Sequence, residues 1–251
     1  VTAPEPPLIR PDWPAPARVR AVSTTRLGGV STGPWTSLNL GARTDDEPDH
    51  VAENRRRLAS ASGCPPPAWL AQVHGRNVVE LELPPAAAGP QPEADASVTG
   101  RPGVACVVLS ADCLPVLFCD RAGTRVAAAH AGWRGLAAGV LEATLERLGA
   151  APAETLAWLG PCIGPAAFEV GPEVRRAFLE TDAGAAAAFV RGRGDRWHAD
   201  LRGLARRRLA AAGVHRVGAS DACTASEPGR FFSHRRDGPC GRMATLIWLA
   251  D

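Results

Sequence analysis

This 251-residue sequence predicts a single layered α/β (α+β) domain, with a central mixed β-sheet flanked by helices. Three observations carry that expectation. The centre of the chain holds short apolar runs broken by turn signals, the pattern of strands buried on both faces. Helical stripes bounded by proline or glycine lie between such runs without regular alternation. No repeat or compositional break marks a linker, and 45% apolar residues suffice for one large core.

Residues 1–17 contain six prolines and read as an extended arm, with residues 18–251 as the single domain. Residues 18–24 alternate as a strand, and 25–45 form a Gly/Ser/Thr-rich connection. Pro48 opens a helix that runs to about Ser62. Residues 69–73 and 77–83 read as strands flanking Gln72-Val73-His74-Gly75, and a Pro/Ala loop follows over 84–93. The apolar runs 104–110, 115–119 and 125–130 are buried strands. Leu136, Val140, Leu141, Leu145 and Leu148 make one helical stripe, closed by Gly149. Beyond it come a strand over 155–159, helices over 172–180 and 199–212, and a final internal strand over 242–250.

Composition excludes several chemistries. All 28 basic residues are Arg, and neither Lys nor Tyr occurs. A Schiff-base lysine, a lysine-bearing phosphate loop and a tyrosine acid are therefore ruled out. The 26 acids nearly balance the arginines, which argues against a nucleic-acid partner. The runs Arg55-Arg56-Arg57 and Arg206-Arg207-Arg208 read as solvated helix faces. No apolar run reaches the ~18–20 residues of a membrane span. Residues 1–17 lack a signal-peptide pattern. Seven cysteines, an odd set without a Cys-x-x-Cys pair, point to a reducing, cytoplasmic location rather than a disulfide framework.

Three segments place reactive side chains at turns beside apolar strands: Gln72-Val73-His74-Gly75, Ser110-Ala111-Asp112-Cys113, and His130-Ala131-Gly132-Trp133-Arg134-Gly135. Two imidazoles and a thiolate form a ligand set suited to zinc, with the fourth tetrahedral position left open. Asp112, between two strands, needs a partner once buried. Gly132 and Gly135 permit close approach, and Arg134 at a helix start favours an anion. His50, His198 and His215 read as structural or exposed. Residues 230–238, with two Phe and several Arg, read either as a strand-end hairpin or as a pocket wall.

Taken together, these motifs resemble the YfiH-like family, long catalogued as laccase-domain or polyphenol oxidase proteins. The resemblance is carried by Thr24-Thr25-Arg26-Leu27-Gly28-Gly29-Val30-Ser31 and Ser37-Leu38-Asn39-Leu40-Gly41. It continues, in the family's order, through residues 72–75, Ala94-Asp95-Ala96, Ala111-Asp112-Cys113, 130–135, 160–164 and 231–241. It spans roughly residues 18–250. It implies a metal site, usually zinc, on His74, Cys113 and His130. It also implies purine nucleoside phosphorolysis, in which adenosine, inosine, guanosine or methylthioadenosine reacts with phosphate to give base and pentose 1-phosphate, accompanied by adenosine deamination. His234 departs from the family, which commonly carries Tyr at this position.

The expected substrate-binding residues are Arg26, Asp112, Arg134, Arg235 and Arg236, with purine nucleosides and phosphate as the partners. No protein partner is inferred. Two other readings stand beside this one. A peptidoglycan-editing cysteine hydrolase would use Cys113 as nucleophile with His130 or His74 as base. Copper-dependent polyphenol oxidation at the same three residues is the other, although a multicopper centre needs about ten His, commonly in His-x-His pairs. This chain has six His and no such pair.

Overall fold

Strands that are apolar at every position need cover on both faces, and the chain provides it by stacking two sheets. The computed structural model describes residues 5–82 and 90–251, so residues 1–4 of the arm, residue 83 at the end of the expected strand over 77–83, and residues 84–89 of the Pro/Ala loop lie outside the described residues. One sheet runs β1 (Leu8–Ile9), β2 (Val19–Thr24), β14 (Met243–Leu249), β6 (Ala105–Ser110), β3 (Pro67–Ala68). The second runs β13 (Arg216–Ala219), β9 (Thr155–Leu159), β7 (Leu114–Asp120), β8 (Val126–Ala131), β5 (Ala96–Thr99), β4 (Val78–Glu80). A small antiparallel sheet joins β10 (Glu169–Val170), β12 (Trp197–Ala199) and β11 (Phe189–Arg191). Both large sheets are mixed: the pairs β3–β6, β4–β5 and β9–β13 are parallel.

Successive residues of the central strands serve different cores. Along β7, Leu114, Val116 and Phe118 pack towards the helices, whereas Leu117 and Cys119 pack between the sheets. There they meet Cys106 and Val108 of β6 and Ile247 and Leu249 of β14. The outer face of the five-stranded sheet is covered by Leu38, Leu40 and Leu58, the last from α1 (Pro48–Ser62). Four helices, α2 (Trp133–Ala138), α3 (Val140–Leu148), α4 (Pro172–Leu179) and α5 (Leu201–Ala211), cover the outer face of the six-stranded sheet. A last short helix, α6 (His234–Asp237), precedes β14. The α/β class is as expected, with the sheet layer doubled. No described helix is long and apolar enough to cross a membrane.

Helix α1 and strands β6–β9 and β14 fall close to their expected spans. Three segments differ. The stripe over 136–148 is two helices, because Gly139 takes φ +93°. Gly139 closes α2 by donating to Leu136 O and opens α3 by accepting from Ala143 N. The buried stripe continues across the break, so periodicity alone does not reveal it. Residues 69–73 do not form the expected strand: Ala71 makes one isolated bridge, donating to Pro92 O at 3.0 Å, and side chains meet its neighbours. The Gln72 amide donates to Leu109 O at 2.8 Å and accepts from Leu109 N at 2.7 Å, replacing a ladder pair. Finally, part of the arm joins the fold: Leu8–Ile9 pair with β2, and Trp13 packs against the core between the sheets.

The Gly139 break has a sign that can be measured. In an unbroken helix Gly139→Ala would stabilise by about 1 kcal/mol. At a left-handed φ it should instead destabilise by about 1–2 kcal/mol. Urea unfolding followed by circular dichroism is expected to show the loss, and a gain would contradict the two-helix geometry.

Candidate active site and metal centre

Three chain segments meet at one end of the six-stranded sheet. Asp95 lies just before β5, Cys113 just before β7, and His130 near the end of β8. His130 N donates to Asp95 O at 2.7 Å, which ties the two strands together beside the site. His74 arrives on the loop ahead of β4. Gly132 and Gly135 make the approach feasible. A Cβ on Gly132 would lie 2.8 Å from His74 Cδ2 and 3.1 Å from Cys113 Sγ, and one on Gly135 would lie 2.7 Å from Gly75 O.

The fully buried Asp95 carboxylate organises the cluster. Its oxygens accept from the backbone N–H of Val73, His74 and Gly75 at 3.2, 2.9 and 2.6 Å. The His130 Nδ1 lies 2.8 Å from the same carboxylate. His74 takes φ +61°, an unusual backbone state that turns these successive N–H groups onto one anion. Burial works against the charge on Asp95. The His130 hydrogen bond and charge outweigh burial, with help from the Gly75 and Val73 N–H groups, and hold the carboxyl below its usual range.

With Nδ1 of His130 engaged by Asp95, Nε2 is left for the cluster. The ligand atoms of His74, Cys113 and His130 all lie within 4.8 Å of one another. Cys113 Sγ is 3.8 Å from His74 Nε2, and the two imidazole rings meet edge to face at 4.8 Å. Tetrahedral zinc with one sulfur and two nitrogen ligands sets those atoms about 3.3–3.6 Å apart. The cluster therefore fits such an ion after a small inward movement, with one position open.

Without metal the same groups form an ion pair. Burial disfavours the Cys113 thiolate, but the charge and hydrogen bonds of His130 and His74 bring the thiol down to about 6. Burial likewise opposes the His130 cation, yet the thiolate and Asp95 raise it to about 9. Both shifts favour a thiolate beside an imidazolium.

The cluster opens into a cavity of about 490 Å³, which is also lined by Gln72, Arg134 and His234. Arg134 alone of the five expected substrate-binding residues lines it, among the described residues. Asp112, at φ +88°, is a buried clamp that accepts from Thr224 Oγ1, Ser233 Oγ and Arg235 N. Arg26 is turned to the carbonyls of Thr36 and Pro228 above the Phe232 ring. Arg235 donates to Glu169 O, and Arg236 is held by Asp237 and the carbonyls of Thr224, Ala225 and Phe231. Backbone carbonyls compete for guanidinium groups, and sequence spacing does not show this. Residues 230–238 form neither a hairpin nor a bare wall. Phe231 and Phe232 are core, Ser233 caps α6, and His234 faces the cavity.

Sequence reasoning also missed residues. Asp95 was visible as a lone charge in Ala94-Asp95-Ala96 ahead of a strand, but not its role. Arg55 was hidden in a run read as solvated. Arg56 and Arg57 do pair with Glu53 on the surface, while Arg55 turns inward over Trp69.

If Asp95 sets the His130 ring and the His74 loop, Asp95→Asn should weaken zinc affinity about 10- to 100-fold. Competition with a chromophoric chelator measures this. Unchanged affinity would leave Asp95 with a folding role alone.

The family model described as multi-copper polyphenol oxidoreductase laccase matches residues 20–250. Purine nucleoside phosphorylase YfiH of Escherichia coli strain K12 is 57% identical over 243 residues, covering 96% of this chain and 98% of that protein. A purine nucleoside phosphorylase of Pseudomonas aeruginosa is 58% identical, covering 97% of this chain and 98% of that protein. A crystal structure of a Neisseria meningitidis protein superposes with a TM-score of 0.92 at 51% identity, over 97% of this chain and 99% of that one. The YlmD structure from Geobacillus stearothermophilus gives 0.91 at 32% identity, covering 97% and 96%. With its sequence matched from end to end of the domain and its fold shared, the chain belongs to the YfiH-like family of laccase-like domain proteins.

Proposed function

We propose that this protein is a zinc-containing purine nucleoside phosphorylase. It converts adenosine, inosine, guanosine or methylthioadenosine and phosphate into the free base and pentose 1-phosphate, with adenosine deaminase as a side activity. The observation that carries the reading is the His74–Cys113–His130 cluster set in the wall of an arginine-lined cavity. The names of the relatives above support it.

Phosphorolysis needs an anion site, a proton for the leaving purine and a site that orients the sugar. Arginine must meet the phosphate, since the chain has no Lys. The Asp95-oriented His130 imidazole directs Nε2 at the cluster, and His74 or His130 can donate a proton to the departing base when metal is absent or displaced from that nitrogen. Gln72 is fixed by both its amide atoms on Leu109, so it shapes the wall rigidly. Zinc held by His74, Cys113 and His130 would supply the Lewis acidity that makes water a nucleophile near neutral pH, the requirement of deamination. Copper could occupy the same ligands, but the six His of the chain do not provide a multicopper centre. Seven free cysteines suit a reducing compartment, and we place the protein in the cytoplasm.

A second reading is favoured by one geometric feature, the Cys113–His130–Asp95 relay. A thiolate, an imidazolium beside it and a carboxylate on the far ring nitrogen form the arrangement of a cysteine nucleophile. It fits a peptidoglycan-editing hydrolase acting through Cys113.

Two measurements separate these readings. Protein of defined zinc content, incubated with adenosine, should yield ribose 1-phosphate only when phosphate is present and inosine in either case. Cys113→Ala should lower both at least about 100-fold. Neither product from wild type would remove the phosphorylase reading. In metal-free protein, iodoacetamide should label Cys113 with a midpoint near pH 6, because the folded state lowers its pKa and the thiolate persists above that value. Cys106, Cys119 and Cys162, pushed up to about 12 by burial, should stay unlabelled at pH 8. Zinc should protect Cys113, and labelling that zinc leaves unchanged would remove the thiol from the metal site.

A further inference from the structure

The cavity that holds the His–Cys–His cluster is lined by four arginines, Arg43, Arg55, Arg134 and Arg242. Among the described residues none of the four is in an ion pair, although ten other arginines of the chain are. No Asp or Glu lines the cavity among the described residues. The undescribed segments, 1–4 and 83–89, carry no charged side chain in their sequence. With 26 acids available to the chain, their absence from this wall leaves the guanidinium charge uncompensated by protein.

Two of the four are held in place. Arg55 donates from Nε and Nη2 to Leu40 O at 3.1 and 2.9 Å, and its guanidinium lies 3.9 Å from the centre of the Trp69 ring. Its Nη1 has no protein acceptor among the described residues. Burial without a carboxylate partner lowers its pKa to about 10, a mark of an unpaired cation. Arg242 donates from Nη1 to Cys240 O at 2.7 Å and Gly241 O at 3.1 Å, and its Nη2 has no described acceptor. Arg43 and Arg134 are exposed at the rim and make no guanidinium hydrogen bond among the described residues. A guanidinium fixed along one edge presents its other N–H groups in a set direction, the geometry that grips an oxyanion. Cations converging on an acid-free concavity repel one another, and a multiply charged anion relieves that repulsion. A carboxylate brings one charge and two oxygens, whereas phosphate brings about two charges and up to four oxygens, the better match to four guanidinium groups.

We propose that Arg55 and Arg242, with Arg43 and Arg134 closing from the rim, form a phosphate subsite in the cavity of the His–Cys–His cluster. The assignment rests on the phosphorylase reading, in which free phosphate is the nucleophile. A nucleotide phosphomonoester offers the same oxygens. Helix α2, at six residues, contributes little dipole, so the guanidinium groups carry the recognition.

The test is a calorimetric titration of inorganic phosphate, and separately of adenosine monophosphate, into the intact protein at low salt. Wild type should bind one phosphate per chain. Arg55→Gln and Arg242→Gln should each weaken binding at least ten-fold, and Arg43→Gln at least three-fold. Arg121→Gln, whose side chain pairs with Glu154 outside the cavity, should bind as wild type. Thermal melting checks the fold of each variant. Arg43, exposed and without hydrogen bonds, keeps the test decisive if the Arg55 variant fails to fold. Sensitivity of both ligands to the arginines assigns the subsite to either source, and sensitivity of phosphate alone assigns it to the free ion. Phosphate binding that ignores all three substitutions, or no binding, overturns the subsite. If ribose 1-phosphate still forms in that case, the phosphorylase reading stands without it. Arginine-dependent binding with no ribose 1-phosphate sinks the phosphorylase reading and keeps the subsite.

Discussion

The Asp95 carboxylate accepts three consecutive backbone N–H groups from residues 73–75 and lies 2.8 Å from His130 Nδ1. A buried carboxylate costs several kcal/mol unless its lone pairs are met, and here four donors meet them. The geometry of the site follows from that requirement. The loop must turn its N–H groups inward, which puts His74 at positive φ and aims its ring at the cluster. The His130 ring must present Nδ1 to Asp95, which leaves Nε2 for metal or substrate. Cys113 is held by a neighbouring device of the same kind, since Asp112 is satisfied by Thr224, Ser233 and the backbone of Arg235. Two buried acids thus set the positions of three reactive side chains.

The stacked sheets explain why those acids converge. Asp95, Cys113 and His130 stand beside three strands of one sheet, ordered β7-β8-β5, so pairing brings them to one end without a long connection. The five-stranded sheet contributes the opposite wall. Leu109 and Ser110 at the end of β6, and Arg242 just before β14, line the same cavity. Side chains on strand ends are stiff, which suits a centre whose ligand atoms must stay within a few ångströms of one another.

Charge is sorted around this frame. Surface arginines pair with Glu53, Glu154, Asp182 and other acids, while the cavity wall, among the described residues, keeps arginine without acid. Exposed pairs of that kind add little stability. Their separation from the cavity still leaves an uncompensated positive field beside a metal-competent cluster. That combination suits the proposed chemistry on an anionic reactant.

Local pattern was enough to determine the α/β class, helix α1, the central strands and the three ligand candidates, because period, turn residues and reactive residue types are written within short windows. The Gly139 break was not legible, since the buried stripe runs through it unbroken. Nor was the loss of the strand over 69–73, where the Gln72 side chain and the Asp95 carboxylate take over hydrogen bonds that a ladder would make. The roles of the arginines were decided by tertiary structure alone. Arg26, Arg235 and Arg236 stand in conspicuous motifs yet are bound to carbonyls, while Arg55 sits in an ordinary basic run and faces the cavity. A guanidinium on a long flexible stem is placed by whichever acceptors the fold brings near it, and for Arg26, Arg55 and Arg235 those acceptors lie ten to more than two hundred residues away along the chain.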